Sequence, residues 1–192
     1  MLFNGVAAPL LYVGSQQINA IVPVEAANSQ TTTVKVLTPS GTIGGPTLRV
    51  RASQPAVFGR PYAEGTWYFA AALNQDGTVN SQAHPAPPGS IVTVWATGAG
   101  LTTPYYQDGA ILGPGGPSYL FATANVSIPL PVSVLGGNDS VQVLYANAAP
   151  DAVQGVVQIN FVTTGGDTFR LQIGSAIGEP FSIWIPGLYI SP

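Results

Sequence analysis

Short runs of alternating apolar and polar residues recur along the chain and constrain its fold more than any other feature. Valine, isoleucine, threonine and aromatic residues dominate these runs, and glycine, proline, asparagine or aspartate bounds them. This pattern is typical of half-buried strands joined by turns, and no window has a helical period with capping residues. The sequence therefore predicts an all-β sandwich or barrel. The runs are TTTVKVL (31–37), SIVTVWATG (90–98), PVSVLG (131–136), SVQVLYA (140–146), GVVQINFV (155–162), TFRLQIG (168–174) and PFSIWIP (180–186).

Part of this pattern is repeated within the chain. The stretch LLYVGSQQINAIVP (10–23) reappears with a longer loop as VLYANAAPDAVQGVVQINFVT (143–163), and IGGPTLRV (43–50) reappears as IGEPFSIWI (177–185). Two copies of one supersecondary unit are expected to fold alike, since their apolar residues alternate with the same period. We therefore predict tandem β-sandwich repeats, a partial one over 1–53 and a complete one with long inserted loops over 54–192.

The first copy is predicted to be incomplete. Before the repeated Leu-Tyr pair, the second copy has a long segment that includes PGSIVTVWATGAG (88–100), whereas the first has only MLFNGVAAPL. A few strands cannot close a sandwich, so an apolar face would need a cover. We expect the segment 58–73 to fold back as that cover, with Trp67 and Phe69 facing the first copy; the alternative is a strand from a neighbouring chain. The predicted face comprises Ala8, Leu10, Tyr12, Ile18, Ala20, Val22, Val34 and Val36.

Charge excludes some partners. Charged residues make up 7% of the chain, the net charge is −3, and the five basic residues form no cluster. Nucleic acids and anionic membranes attract clustered lysine and arginine, so neither is an expected partner. A surface rich in uncharged polar residues favours a secreted or surface-displayed β-protein. The opening residues lack a basic region before their apolar run, so an export signal is not expected within this chain.

The chain has few side chains that could act in catalysis or bind a metal. The only histidine, His84, stands in a proline-rich loop, and the aspartates lie beside turn residues. Glu25, Glu64 and Glu179 are far apart in the sequence, and no cysteine is present. No metal-binding or phosphate-binding motif occurs. We therefore predict no catalytic residues, no metal, no cofactor and no enzymatic activity.

Aromatic residues on loops are the remaining candidates for binding. Tyr105, Tyr106, Tyr119 and Phe121 lie in or near loops, where rings stack on sugars or anchor a partner protein. The same rings could instead pack back over the ends of the sandwich. Among the strand aromatics, Trp95 is predicted to plug the space between the sheets, whereas Trp184 shares a strand face with Ser182 and is a candidate for exposure.

Three long stretches carry a resemblance to a known family. They are FNGVAAPLLYVGSQQINAIVP (3–23), AALNQDGTVNSQAHPAPPGSIVTVWATGAG (71–100) and PVSVLGGNDSVQVLYANAAPDAVQGVVQIN (131–160). They resemble an uncharacterised Solibacter-type C-terminal domain family of exported bacterial proteins, which is distantly similar to IPT/TIG immunoglobulin-like domains. The resemblance implies an Ig-like fold and an extracellular or cell-surface setting at the end of a longer protein, next to upstream domains, with no assigned catalytic residues. It covers most of the chain, but residues 110–130 depart from the family's pattern.

Three function classes follow from these features. The first is a non-catalytic structural or adhesive C-terminal module, whose partners are upstream domains and a surface protein or glycan. The second is a carbohydrate-binding module that uses the loop aromatics. The third, a hydrolase or enzyme accessory, is disfavoured because acid, base and nucleophile candidates are scarce.

Overall fold

The computed structural model describes residues 1–62, 67–113, 128–137, 139–179 and 181–184. This part of the chain folds into short β-strands and a single 3-10 helix at Val24–Asn28, without an α-helix. The prediction of an all-β chain is confirmed. The strands are β1 (Leu2–Phe3), β2 (Val6–Ala7), β3 (Leu10–Val13), β4 (Ile18–Ala20), β5 (Thr31–Thr38), β6 (Gly41–Arg49), β7 (Ala56–Val57), β8 (Gly59–Tyr62), β9 (Trp67–Ala70), β10 (Ala72–Asn74), β11 (Ile91–Thr97), β12 (Ile111–Leu112), β13 (Val132–Gly136), β14 (Asp139–Val141), β15 (Val143–Ala148), β16 (Ala152–Val153), β17 (Val157–Val162), β18 (Thr168–Ile173), β19 (Ala176–Ile177) and β20 (Phe181–Ser182).

Two sheets built from β7 onward face each other. One has the order β10-β11-β17-β15, with β7 added to β11, and the other has the order β14-β13-β18-β20-β9-β8, with β19 added to β18. Neighbouring strands are antiparallel except β20 and β9, which run parallel. A short pair, β12 and β16, lies outside both sheets. We call this part of the molecule the second unit.

The core of the second unit is a layer of apolar side chains between its two sheets. On β17, alternate residues Val157, Ile159 and Phe161 are fully buried, as the period-two pattern predicts. The Phe161 ring meets Phe169 of the opposite sheet at 5.1 Å and Phe181 at 6.4 Å between ring centroids. Each such side chain contributes about 1.5–3 kcal/mol by leaving water.

Trp95 does not plug this core, and that prediction is wrong. Its neighbours Val94 and Ala96 are buried between the sheets, whereas Trp95 is half-buried. Successive side chains of a strand point to opposite faces, so the strand that buries Val94 turns Trp95 outward.

Residues 2–49 form a first unit with two small sheets of their own. One sheet has the order β2-β1-β5-β6, and the other is the hairpin of β3 and β4. Phe3, Ala8 and Val34 make its small core, with Met1 and Ala20 packed against them. Among the described strands, none of residues 2–49 pairs with one of residues 56–182.

The hairpin β3-β4 pairs in the same register as β15-β17. Tyr12 lies opposite Asn19 in the first hairpin, and Tyr145 lies opposite Asn160 in the second. In both hairpins one extra residue directly precedes the tyrosine, so a bulge interrupts the ladder at the same place. The repeated sequence therefore has the same local structure in both copies.

A side-chain hydrogen bond is also repeated. The Gln17 Nε2 atom donates to Asn19 Oδ1 at 2.6 Å, and the Gln158 Nε2 atom donates to Asn160 Oδ1 at 3.0 Å. Residues two apart on a strand share one face, which brings the two amides together.

The downstream part of the repeat keeps the pairing but not the buried face. Ile43 pairs with Val36, and Ile177 pairs with Gln172 at the equivalent turn. Beyond the turn, Phe181 is buried, whereas the matching Thr47 is exposed.

The predicted apolar face of the first unit is only partly covered. Ala8 and Val34 are buried, Ile18, Ala20 and Val36 are half-buried, and Leu10, Tyr12 and Val22 are exposed. The eight residues do not share one face, because the bulge turns Leu10 and Tyr12 to opposite sides.

The segment 58–73 does not cover the first unit, and that prediction is wrong. Strand β9 pairs with β8 and β20, and β10 pairs with β11, so the segment belongs to the second unit. The Phe69 ring stacks on Trp184 at 4.5 Å. The Trp67 side chain lies outside the described part. Pairing with strands of the second unit satisfies backbone hydrogen-bonding groups of β8, β9 and β10, so these groups are not available to the first unit.

Candidate functional site

Tyr105 lies beside a contact between the two units, which Asp108 of the same loop makes. Its hydroxyl donates to the Asp108 carboxylate, which also accepts a hydrogen bond from the Val24 backbone N–H at 3.2 Å. Burial of the half-buried ring raises the pKa of Tyr105 well above its usual range, and the bond to Asp108 raises this pKa further. The Asp108 carboxylate therefore connects this loop to the 3-10 helix of the first unit, and the Tyr105 hydroxyl bonds to that carboxylate from within the loop.

Tyr106 packs inward on the same loop. Its ring lies against Leu112 and Ala148, and its backbone N–H donates to the Gln154 Oε1 atom at 3.0 Å. The buried Gln154 side chain also donates to Thr102 Oγ1 at 3.2 Å. Both tyrosines are half-buried and have structural contacts.

Tyr119 and Phe121, the other two predicted ligand-binding residues, lie outside the described residues. The prediction that these four aromatics bind a ligand therefore stays a prediction.

Asn80 is the centre of a buried polar network. Its Nδ2 atom donates to Asn74 Oδ1 and to the Trp184 carbonyl, each at 3.0 Å, and its Oδ1 atom accepts from the Trp184 N–H at 2.7 Å. Asn74 Nδ2 in turn donates to the His84 carbonyl at 2.8 Å. The Asn80 amide pairs with the Trp184 peptide as a neighbouring strand would, and it holds the loop after β10 against the end of the chain's last described strand.

Beside this network lies an open groove of about 480 Å³, lined by Arg60, Ser81, Gln82, Ala83 and Trp184. The half-buried Trp184 ring is supported from below by Phe69, with an angle of 16° between the rings. A supported indole beside a guanidinium and an amide combines a stacking surface with hydrogen-bond donors. We call this the Trp184 groove.

Sequence reasoning did not identify the Trp184 groove as a site. The lining residues come from three distant segments, 60, 81–83 and 184, so no motif joins them. The only signal was the polar residue Ser182 on the strand of Trp184.

A second, smaller hollow of about 260 Å³ is lined by Leu135, Gly137, Thr168, Phe169 and Arg170.

The Asp76 carboxylate stabilises a turn, as the sequence predicts. It accepts hydrogen bonds from the side chain and the backbone N–H of Thr78, and these bonds lower the pKa of Asp76. His84 lies in an exposed turn closed on Ser81. Glu25 lies in the 3-10 helix of the first unit and Glu179 between β19 and β20 of the second, while Glu64 lies outside the described residues.

The part of the chain that the structure describes brings no three histidine, cysteine, aspartate or glutamate side chains together as a metal site. Nor does it contain a helix with the length and hydropathy of a transmembrane span.

Within the described residues, the hairpin β3-β4 carries the longest run of exposed large apolar side chains. Its four residues on β3 are all large and apolar, and each is about half-exposed: Leu10 45%, Leu11 55%, Tyr12 54% and Val13 62%. Single exposed apolar residues are ordinary, but contiguous ones mark interaction surfaces. We call residues 10–13 the apolar strand.

No protein-family model matches the chain, and comparisons with curated proteins and with solved structures found no match.

Proposed function

We propose that the chain is a non-catalytic structural or adhesive module at the C-terminal end of an exported bacterial protein, built from two Ig-like units. The apolar strand carries this proposal, because a row of exposed large side chains stabilises a fold only when something packs against it. Its natural partners are upstream domains of the same protein or a surface protein.

The interior polar groups support a structural role. Asp108, Asn80 and Gln154 connect loops and chain ends that strand pairing leaves apart. The repeated register of the two hairpins supports a duplicated unit, as in proteins that use Ig-like modules as spacers. The low charge of the chain fits the outside of a cell.

Adhesion is tested by cosedimentation of the purified chain with washed bacterial envelopes. The double variant Leu11→Ser/Val13→Ser removes two exposed side chains from the apolar strand, and we expect it to reduce the bound fraction about tenfold, the effect of losing roughly 1.4 kcal/mol. The matched control, Leu101→Ser/Ile111→Ser, removes two equally exposed apolar side chains from the second unit and should bind as the parent does.

If the bound fraction fell equally in both double variants, the apolar strand would not be the specific binding surface. An activity that degrades a polysaccharide or peptide would contradict the non-catalytic part of the proposal, provided that the activity copurifies with the chain and is lost in Glu64→Gln or Glu179→Gln.

A second candidate function is carbohydrate binding, and the Trp184 groove favours it. Sugar rings present an apolar C–H face to an indole and hydroxyls to neighbouring donors. The groove offers the Trp184 ring together with the Arg60 and Gln82 side chains. This site differs from the loop tyrosines that the sequence indicated.

Affinity electrophoresis in gels that contain soluble plant or bacterial polysaccharides tests the groove. We expect one polysaccharide to retard the parent chain and an Arg60→Ala/Gln82→Ala variant to lose the retardation, because both side chains are exposed and their removal leaves the fold intact. A Gln107→Ala variant, also exposed but remote in sequence, is the control. Retardation that survives the double variant would exclude the groove.

A further inference from the structure

The two repeated hairpins differ in how many neighbours their second strand has. In the second unit, β17 is flanked by β15 on one side and by β11 on the other. In the first unit, β4 is flanked by β3, and no other described strand pairs with it. The position that β11 occupies in the second unit is therefore open in the first, within the described part of the chain.

The second unit shows how a strand fits at this position. Strand β11 runs antiparallel to β17 over six residue pairs, with Val94 opposite Ile159 and Thr93 opposite Asn160. Ile159 and Asn160 correspond to Ile18 and Asn19, because both hairpins share their register and bulge. A strand on β4 in the same register would place a valine opposite Ile18 and a threonine opposite Asn19.

The open edge of β4 also lacks the residues that block strand addition. Proteins protect free edges with proline, charged side chains or bulges. Strand β6, the free edge of the neighbouring sheet, has both Pro46 and Arg49. The stretch GSQQINAIV (14–22) around β4 has neither proline nor charge.

The apolar side chains near β4 are less buried than their equivalents in the second unit, and an added strand would cover them. Ile18 and Ala20 are only half-buried, whereas the equivalent Ile159 and Phe161 are fully buried beneath two sheets. Leu10, opposite Ala20, is 45% exposed. Valines entering beside β4 would extend this sheet and cover part of this surface.

From these observations we propose that β4 is an acceptor for one extended β-strand, added antiparallel in the register of β11 on β17. The occupant is a strand of a neighbouring module in the same exported protein, with valine or a similar β-branched residue at alternate positions and no proline. Backbone hydrogen bonds to β4 hold it, and its valines face Ile18 and Ala20. This inference rests on the proposed structural function and names the partner of its first unit.

A peptide with the sequence of residues 88–100, carrying a solubilising lysine tail, is the probe. It is added in excess to the full chain labelled with nitrogen-15. We expect saturable shifts of the amide signals of Gln17, Ile18, Asn19 and Ala20, and at least about tenfold slower hydrogen exchange at Ile18 and Ala20, whose N–H groups face away from β3. A control peptide with proline in place of Val94 should cause neither effect, because the N–H of Val94 faces the paired strand and proline has no N–H to donate.

A matched pair of protein variants locates the binding. Ile18→Lys places a charge on the proposed acceptor strand and should abolish binding of the peptide, whereas Ile43→Lys places one on β6 and should leave it intact. If Ile18→Lys unfolds the first unit, the proline peptide still decides the outcome.

Three results would overturn the proposal: no saturable binding, binding equal for both peptides, or shifts confined to residues 157–162, which would mean that the peptide displaces the chain's own β11. Signals of β4 that change on dilution without peptide would assign the edge to a second copy and also overturn it. Because the peptide assay uses no envelopes, its failure is distinguishable from a failure of adhesion.

Discussion

Replacing Phe161 with alanine is expected to lower the free energy of unfolding of the second unit by about 3–5 kcal/mol. Phe161 is fully buried and contacts Phe169 and Phe181 across the sheets, so its removal leaves a cavity in the middle of the core. Chemical denaturation followed by circular dichroism measures the change.

The matched control for this prediction is Phe58→Ala. Phe58 is 42% exposed, so the same substitution there removes few buried contacts and should cost much less. Equal effects of the two variants would mean that the second unit does not depend on the contact between its sheets.

Replacing Asn80 with alanine is expected to lower the free energy of unfolding by about 2–5 kcal/mol. The substitution leaves the Trp184 N–H and the Asn74 Oδ1 atom without the Asn80 partner, and each buried polar group that loses its bond costs about 1–3 kcal/mol. Denaturation measures the loss, and proteolysis should cut the loop after β10 faster.

Gln107→Ala is the control for Asn80→Ala, because Gln107 is exposed and its substitution should change stability by less than about 0.5 kcal/mol. If Asn80→Ala were as stable as the parent chain, the network would not be holding the loop to Trp184.

Strand identity could be predicted from the sequence because it depends on local alternation. The runs at 31–37, 90–98, 155–162 and 168–174 all contain strands, and Phe161 and Phe169 are core residues. The repeated Leu-Tyr and Gln-Ile-Asn residues also have a repeated register and hydrogen bond, since both depend on neighbours in one hairpin.

The candidate sites were harder to predict. Tyr105 and Tyr106 look like exposed loop aromatics in the sequence, but in the folded chain both rings are half-buried. The Tyr105 hydroxyl bonds to Asp108 within the loop, and the Tyr106 N–H bonds to the distant Gln154. The Trp184 groove joins three segments that are adjacent only in the folded chain.

Alternation and turn residues act over a few neighbours, so the all-β class, the positions of most strands and the repeated hairpin could be predicted from the order of the amino acids. Long-range pairing, in contrast, is settled only in the folded chain. The tertiary structure placed the segment 58–73 on the second unit, turned Trp95 outward and left β4 with one neighbour among the described strands. Alternation indicates which residues of a strand can be buried. The partner with which that strand pairs depends on all the free strand edges in the fold.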